Sequence, residues 1–460
     1  MSNSARKIVI IGNGISGVTC ARHIRKKDGQ AEILIISGET DHFFSRTALM
    51  YIYMGHMKYE HTKPYEDWFW DKNRIALKKA WVTQVDFDKK ELLLAEGECI
   101  PYNTLILATG SKPNTFGWPG QDLEGVQGLY SMQDLEKMEK NTPAVRRAVV
   151  VGGGLIGIEM AEMFRSRDIP VTFLVRESNF WDNVLPKEEA QLINRHIRTH
   201  HIDLRLETEL EEILSDDTGR VRALKTKSGE EIACEFVGLT VGVRPNITFL
   251  EKNNKRLTDN DKTGLDLSLG ILVDAYFKTN IPDVFAIGDC AEFRERPAAD
   301  RKTIEQVWYT GRMHGETLAH NLTANSSVPY LPGVWFNSAK FMDIEYQTYG
   351  QVPPTLEPGT DTFYWEKDRT AIRFVYNSSN DNLLGVNAFG WRLRHDFFDT
   401  AISEGWTMAT VLGQLDKANF NPEFFKNHIQ EVLAKYRQKT GRSITIKKPS
   451  FFHRLIGSRA

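Results

Sequence analysis

The sequence predicts an α/β protein: two domains of similar plan, each on a parallel sheet, then a third, α+β domain. Three observations predict it. A G-x-G-x-x-G pattern follows a short β-branched run at Gly12, Gly14 and Gly17, and again at Gly152, Gly154 and Gly157. The two copies stand a domain's length apart, which places them in two folding units. From about Pro329 aromatic-rich alternation replaces this rhythm, as antiparallel strands require.

The first element is "KIVIIGNGISG", where Ile8 to Ile11 read as a buried parallel strand. Gly12 allows a tight turn, Gly14 lets the backbone approach a pyrophosphate, and Gly17 lets the next helix pack close to the sheet. Ser16 stands between them at the start of that helix, whose free N–H groups attract phosphate. The next strand, "AEILIIS", ends just before Glu39, where a ribose-binding acid is expected. The second copy, "AVVVGGGLIGIE", repeats the pattern, and its next strand is "VTFLVRE", Val171 to Glu177. Glu177 suits a ribose hydroxyl and Arg176 a 2′-phosphate, so the pair leaves NADH and NADPH both open.

The bulk numbers exclude several classes. A net charge of -2 over 460 residues gives no electrostatic case for nucleic acid. The run "DWFWDKNRI" is read as helix packing rather than a base-stacking platform. The strand starting by Lys7 leaves no room for a signal peptide, and "AVVVGGGLIGIEMAEMF" is too interrupted for a membrane span. The expectation is a soluble, cytoplasmic protein. Cys20, Cys99, Cys234 and Cys290 form no CxxC or CxxxxC pair. The twelve histidines show no metal spacing, with His42, His56 and His61 scattered, so no metal site is expected.

Three further stretches follow in order: "LILATGSKP", "LTVGVRPN" and "DVFAIGDCAE". With the two glycine fingerprints they make the chain resemble the two-dinucleotide-binding-domain flavoproteins, the pyridine nucleotide–disulfide oxidoreductase superfamily. Within it, the ferredoxin-reductase and apoptosis-inducing-factor-like branch is the nearest in pattern. The resemblance implies two Rossmann-like domains, the second inserted in the first, plus a C-terminal α+β interface domain. It implies an FAD-binding domain in two parts (1–118 and 244–328), an NAD(P)-binding domain (119–243) and the interface domain (329–460).

The same resemblance assigns roles. The first fingerprint would bind FAD and the second NAD(P)H. Ala108, Thr109 and Gly110 would form a crossing between the domains, and Gly242 belongs to the matching stretch on the return. Gly288 and Asp289 would meet the ribityl chain, with the helix that follows aimed at the flavin ring. Glu159 would position the nicotinamide, and the backbone of Val82 would meet the adenine. In "RTALMY", Arg46 would pair with an FAD phosphate, while Tyr51 stands where the branch carries a lysine near the reactive flavin nitrogen. Gln306 and Trp308, on the helix after the "GD" pair, would approach the ring, as would Trp335 or Phe336. For the last two, core packing is the competing account.

No cysteine lies where a disulfide or peroxide reductase needs one, so electrons are expected to leave the flavin directly. The expected activity is an FAD-dependent NAD(P)H oxidoreductase without redox disulfide, serving a small electron carrier such as an iron–sulfur protein. One rival is a membrane-surface NADH:quinone reductase, docked through a basic tail with Lys447, Lys448, Arg454 and Arg459 beside Phe451 and Phe452. The other is a redox-sensing FAD/NAD(P)-binding protein with little turnover. In the C-terminal third, "GVWFNSAKFMDIEYQTYG" reads as strand and "NSSND" as a turn. "RHDFFDTAISEG" reads as a helix, and a last helix is signalled by Asn421, Pro422 and Gly441.

Overall fold

The computed structural model describes residues 6–253, 264–420 and 426–446. The chain divides into two compact units: 1–176 with 207–332, and 177–206 with 333–460.

The first unit holds both parallel sheets. In one, Val284–Ala286, Thr104–Leu107, Lys7–Ile11, Glu32–Ser37 and Ile75–Lys79 are neighbours in that order, all parallel. Its outer strand comes from beyond residue 280, so the chain leaves this sheet and returns to it. In the other, Val171–Leu174, Ala148–Val151, Phe236–Leu239 and Val126–Gln127 run parallel. Strands buried on both faces read as near-continuous apolar runs. Thr104–Leu107, Ala148–Val151 and Phe236–Leu239 are buried at every position.

Each sheet carries the same accessory, a three-stranded antiparallel meander just before a central strand. One is Val82–Asp86, Glu91–Leu94 and Cys99–Pro101; the other is Leu210–Ser215, Val221–Thr226 and Glu231–Ala233. The chain leaves the first sheet through Ser111–Pro113 and returns through Val243–Pro245. These two short strands pair antiparallel, Ser111 opposite Pro245 and Pro113 opposite Val243. The "ATG" and "VGVRP" stretches are therefore two sides of one ribbon.

The fingerprint helices are Ile15–Lys27 and Leu155–Arg165. The first crosses Trp308–Thr323 at very close range. A Cβ on Gly311 would come within 2.6 Å of Ser16 Oγ, and one on Gly315 within 2.5 Å of the Ser16 carbonyl oxygen and 3.0 Å of Cys20 N. Cys20 is a small residue at this crossing, fully buried.

In the second unit a five-stranded antiparallel sheet has the order Phe336–Phe341, Ile344–Gly350, Leu383–Phe389, Thr370–Asn377, Thr360–Lys367. The stretch read as one strand is thus a hairpin that turns at Met342 and Asp343. Alternation continues smoothly through a two-residue turn, so the pattern hides the break. The expected turn after Asn377 and the helix His395–Ser403 are present. The last helix, Ile429–Thr440, ends as expected at Gly441 in the left-handed conformation (φ 72°). It begins at Ile429, with His428 before it, rather than at Pro422; Asn421 and Pro422 lie outside the described residues, as does the basic tail from Lys447. Ile429, Val432, Leu433 and Tyr436 are its buried residues. Phe336 packs against this unit's core, its ring 4.3 Å from that of His395. In the first unit, "DWFWDKNRI" yields the short helix Trp68–Lys72, with Trp70 buried in the core and Trp68 exposed.

The helix Lys187–Thr199 belongs to the second unit and is held there by charge. Arg373 Nε donates to Glu189 Oε1 and its Nη2 to Glu188 Oε2, each at 2.8 Å, while Asn387 Nδ2 donates to Glu189 Oε2 at 2.7 Å. Glu189 is fully buried and Arg373 nearly so. Removing one partner strands the other charge in a low-dielectric site. Arg373→Met should therefore destabilise the protein by about 3–5 kcal/mol, read as a lower urea midpoint. Arg373→Met combined with Glu189→Gln should recover most of that loss.

Candidate functional site

The two glycine turns repeat one geometry. A Cβ on Gly12 would stand 2.0 Å from the Ala108 carbonyl oxygen, and one on Gly152 2.5 Å from that of Thr240. A Cβ on Gly17 would stand 2.3 Å from the Gly12 oxygen, and one on Gly157 the same distance from the Gly152 oxygen. In each copy the first glycine lies against a neighbouring strand's end and the third against the first. The middle glycines differ: nothing lies within 4 Å of a Cβ on Gly14 or Gly154. Open space at that one position, beside a helix N-terminus, is what a pyrophosphate needs. Neither helix carries an acid in its first turn, so no fixed negative charge opposes it.

A cavity of about 1060 Å³ opens at the first turn. Its wall includes Gly12, Gly14 and Ser16 from that turn, Val82 from the meander, Ala108, Thr109 and Gly110 from the crossing, and Asp289. Leu155, Ile156 and Glu159, from the helix after the second fingerprint, line the same cavity. So do Gln306 and Trp308. The cavity thus brings together most of the residues expected at it, though they are scattered across the chain.

Some expected residues stand elsewhere. Tyr51 is in the helix Leu49–Tyr53 and is not among the lining residues, whereas Thr47, Leu49 and Met50 are. Its ring stacks on His56, with centroids 6.2 Å apart. Gly17, Gly157 and Gly288 act in backbone packing behind the cavity wall; a Cβ on Gly288 would meet Ser16 Oγ at 2.3 Å. Gly242, with φ 90°, stands at the return crossing, where its carbonyl accepts from Asn114 N–H at 3.0 Å. The strand before Arg176 and Glu177 stops at Leu174, and neither residue lines the cavity. The helix after "GD" is not immediate: a short 3₁₀ turn, Gly288–Cys290, and the strand Ala291–Phe293 intervene. Gln306 precedes the helix, which starts at Trp308 and so presents its N-terminal residue to the cavity.

Polar groups on the wall form a linked set. Arg46 donates to both carboxylate oxygens of Glu39, at 2.8 and 2.6 Å, and to the Tyr130 carbonyl at 2.6 Å. Met132 N–H donates to Glu39 Oε1 at 2.9 Å. Burial works against the Arg46 charge, but this bidentate pairing outweighs it and raises its pKa. Glu39 and Arg46, expected on separate parts of a ligand, are thus paired with each other. Ser111 Oγ and Tyr130 OH donate to Asp289 Oδ2 at 3.1 and 3.3 Å, and Gln306 Nε2 donates to Ser111 Oγ at 2.7 Å. Burial raises the Asp289 carboxyl pKa above its ordinary value, against the Ser111 bond, the nearby Arg46 charge and the Tyr130 bond.

Sequence reasoning missed Ser111, Tyr130, Thr47 and Trp81. Ser111 follows Gly110 directly, so the crossing motif itself was a signal for it. Trp81 is 59% exposed, lines the cavity and packs where a Cβ on Gly38 would lie, 2.2 Å from its ring. A large aromatic beside Val82, left outside the core, is a ready face for a planar ring. Tyr130 lies in no motif.

None of the lining residues is a cysteine. Cys20, Cys234 and Cys290 are buried and Cys99 is exposed, all as free thiols. Burial raises the pKa of Cys20 and Cys290, and pushes Cys234 up to about 12. These three are poor thiolates at neutral pH.

Fold and cavity together define a protein with two dinucleotide folds whose turns are shaped for phosphate. The chain belongs to the pyridine nucleotide-disulphide oxidoreductase family, whose model matches residues 6–315. It is 30% identical over 293 residues to a nitrite reductase [NAD(P)H] of Bacillus subtilis (strain 168), covering 63% of this chain and 35% of that protein. The chain therefore spans about a third of that relative's length. It is 27% identical over 400 residues to a ferredoxin–NAD(P)(+) reductase of Sphingomonas sp, covering 84% of this chain and 93% of that one. In fold it is similar to putidaredoxin reductase in its covalent complex with putidaredoxin. That match has a TM-score of 0.75 and 20% identity, covering 94% of this chain and 99% of the other. FAD and NAD(P)H are the cofactors this family membership brings, and the open middle glycines, the acid-free helix starts and the cavity volume fit them.

The two kinds of glycine give opposite expectations. Gly12→Ala places a methyl against backbone at φ 113° and should cost several kcal/mol, at least about 2. Gly14→Ala, at φ -73° with open space around it, should leave the melting temperature within about 2 °C. It should still weaken FAD binding by about tenfold or more, because the methyl occupies the phosphate approach. Thermal melts and flavin titration of the apoprotein separate the two.

Proposed function

We propose that this chain is an FAD-dependent NAD(P)H oxidoreductase without a redox disulfide, passing electrons to a small electron-carrier protein of the iron–sulfur kind. One observation carries the reading. A single cavity is lined by the first fingerprint, by Asp289 and by Glu159 from the helix of the second, with no cysteine on its wall. The ferredoxin–NAD(P)(+) reductase of Sphingomonas, which this chain matches over most of both lengths, supports the choice of partner.

The bound flavin would supply the chemistry, taking a hydride from NAD(P)H and releasing electrons to the carrier. The chain's residues bind and orient. Backbone N–H groups past Gly14 and Gly154 hold the two pyrophosphates. Glu39 and Arg46 exchange part of their mutual pairing for ribose and phosphate, and the Val82 backbone and Trp81 flank the adenine. Asp289 accepts from the ribityl chain, and Glu159 orients the nicotinamide. Arg176 and Glu177 read the second ribose. The N-terminus of the helix Trp308–Thr323 places a partial positive charge at the cavity, favouring electron density there. Within the chain we assign 1–118 and 244–328 to FAD, 119–243 to NAD(P)H except for 177–206, which packs with the C-terminal unit, and 329–460 to the interface domain. Among the described residues no helix is long and apolar enough to cross a membrane, and we place the activity in the cytoplasm.

Anaerobic mixing of the holoprotein with NADH or NADPH tests the donor half: the flavin absorbance should bleach rapidly with one of them. Absence of bleaching with both would overturn the proposal. Turnover with a ferredoxin should survive alkylation by N-ethylmaleimide with less than about a twofold change, because the three buried thiols are unreactive. A large loss would restore a thiol to the pathway. Asp289 gives a pH test. It accepts a hydroxyl hydrogen bond most strongly as the carboxylate, and its pKa lies above the ordinary carboxylate value. FAD affinity of the apoprotein should therefore fall as pH drops through that raised pKa. Asp289→Asn should bind more weakly at neutral pH and lose this acid limb.

A further inference from the structure

A second group of converging side chains lies in the C-terminal unit. His196 is on the helix Lys187–Thr199 and His200 caps its end. The i, i+4 spacing puts both imidazoles on one face. Asp343 is at the tip of the hairpin Phe336–Gly350, in the turn that the sequence pattern concealed. His196 Nε2 and His200 Nε2 are 3.2 Å apart. Asp343 Oδ1 lies 3.2 Å from His200 Nε2 and 2.6 Å from His196 Nε2. Three atoms that can each offer a lone pair thus face one point.

Those distances can be set against a metal's requirements. Tetrahedral zinc, with bonds of about 2.0–2.1 Å, holds its ligand atoms about 3.3–3.4 Å apart. Two edges of the triangle are already that long to within about 0.2 Å. The third must open by about 0.7 Å, and the group that has to move is the one able to: the Asp343 side chain is 49% exposed. Arg369 bonds the other oxygen, Oδ2, so it orients the carboxylate from behind and leaves Oδ1 facing the histidines. A charged partner behind a ligating carboxylate is the usual outer support of such a site. His196 is buried, His200 half-buried and Asp343 exposed, which gives a fixed base and an entry path from solvent.

We propose that His196, His200 and Asp343 bind one divalent transition ion of the zinc class, with water in the fourth position. Two imidazoles and one carboxylate are borderline donors that suit zinc, and equally exclude the oxygen-only preference of calcium and magnesium. The ion would act as a structural clamp. Arg373 already pins the start of the helix Lys187–Thr199 through Glu188 and Glu189; the metal would pin its end to the hairpin. The competing account is a cluster held by a proton in place of a metal.

The test uses the full-length holoprotein, stripped with a chelator and titrated with zinc chloride against a chromophoric zinc indicator. One zinc should bind per chain. His200→Ala and Asp343→Asn, both at solvent-accessible positions, should each weaken it by at least about tenfold. His201→Ala, at the exposed neighbour, should leave it unchanged. Zinc at a hundredfold excess over Kd should raise the melting temperature by about 3 °C in the wild type and not in the two ligand variants. X-ray absorption at the zinc edge should show imidazole ligation in the wild type. The rate of flavin reduction by NAD(P)H should be equal in all variants, since none of these residues lines the cavity. Equal zinc affinity in wild type and His200→Ala, or no stoichiometric zinc in the wild type, would overturn the proposal and leave a proton-held cluster.

Discussion

Backbone-to-backbone contact at two glycine turns is the constraint on which the first unit depends. Where Gly12 meets Ala108 and Gly152 meets Thr240, there is no room for a side chain. That contact lets each first strand run into its helix without a longer loop, and it sets the distance from helix to sheet. It also exposes the helix's free N–H groups at the strand ends, and at the first turn the cavity opens there. The third glycines, each closing on the first, lock the same turn from the helix side. Because strand, turn and helix are fixed together, a displaced methyl at either first glycine would disturb the packing of the sheet as well as the binding site.

The cavity is then finished by elements remote in sequence. The ribbon of Ser111–Pro113 with Val243–Pro245 brings the exit and return of the inserted fold side by side. Ser111, on that ribbon, bonds Asp289 and receives Gln306, so one serine joins three chain segments. Tyr130 links the same carboxylate to the Arg46–Glu39 pair through its hydroxyl and carbonyl. The wall carries a connected polar network in which Glu39 and Arg46 pair with each other. A dinucleotide would replace part of that pairing with its own phosphate and ribose groups.

In the C-terminal unit, by contrast, charge does structural work. Arg373 and Glu189 are both buried, a costly arrangement that is tolerable because Asn387 and Glu188 complete the hydrogen bonding. The helix involved begins ten residues after Glu177, in a stretch the sequence assigned to the nucleotide-binding fold. In the structure that stretch groups with the antiparallel sheet. A chain segment can thus belong to one fold by sequence order and to another by packing, when its ionic partners lie far downstream.

Sequence alone determined the parts governed by local rules. The strands Lys7–Ile11 and Ala148–Val151, the glycine turns and the helices after them follow from β-branched runs and glycine spacing. The C-terminal stop at Gly441 follows from the left-handed conformation that glycine accepts readily. Asp289, Glu159 and Val82, named through the family resemblance, line the cavity. What only tertiary structure decided depends on contacts between distant segments. The alternation through Met342 and Asp343 gave no sign of a reversal, because a two-residue turn preserves the period. Tyr51 was aligned by motif position, and it is not among the residues that line the cavity. Ser111 and Tyr130 meet Asp289 from residues well over a hundred positions away, and His196, His200 and Asp343 converge across an equal gap. Periodicity and spacing report a residue's neighbours along the chain, whereas these sites are made by neighbours in space, and only the folded backbone brings them together.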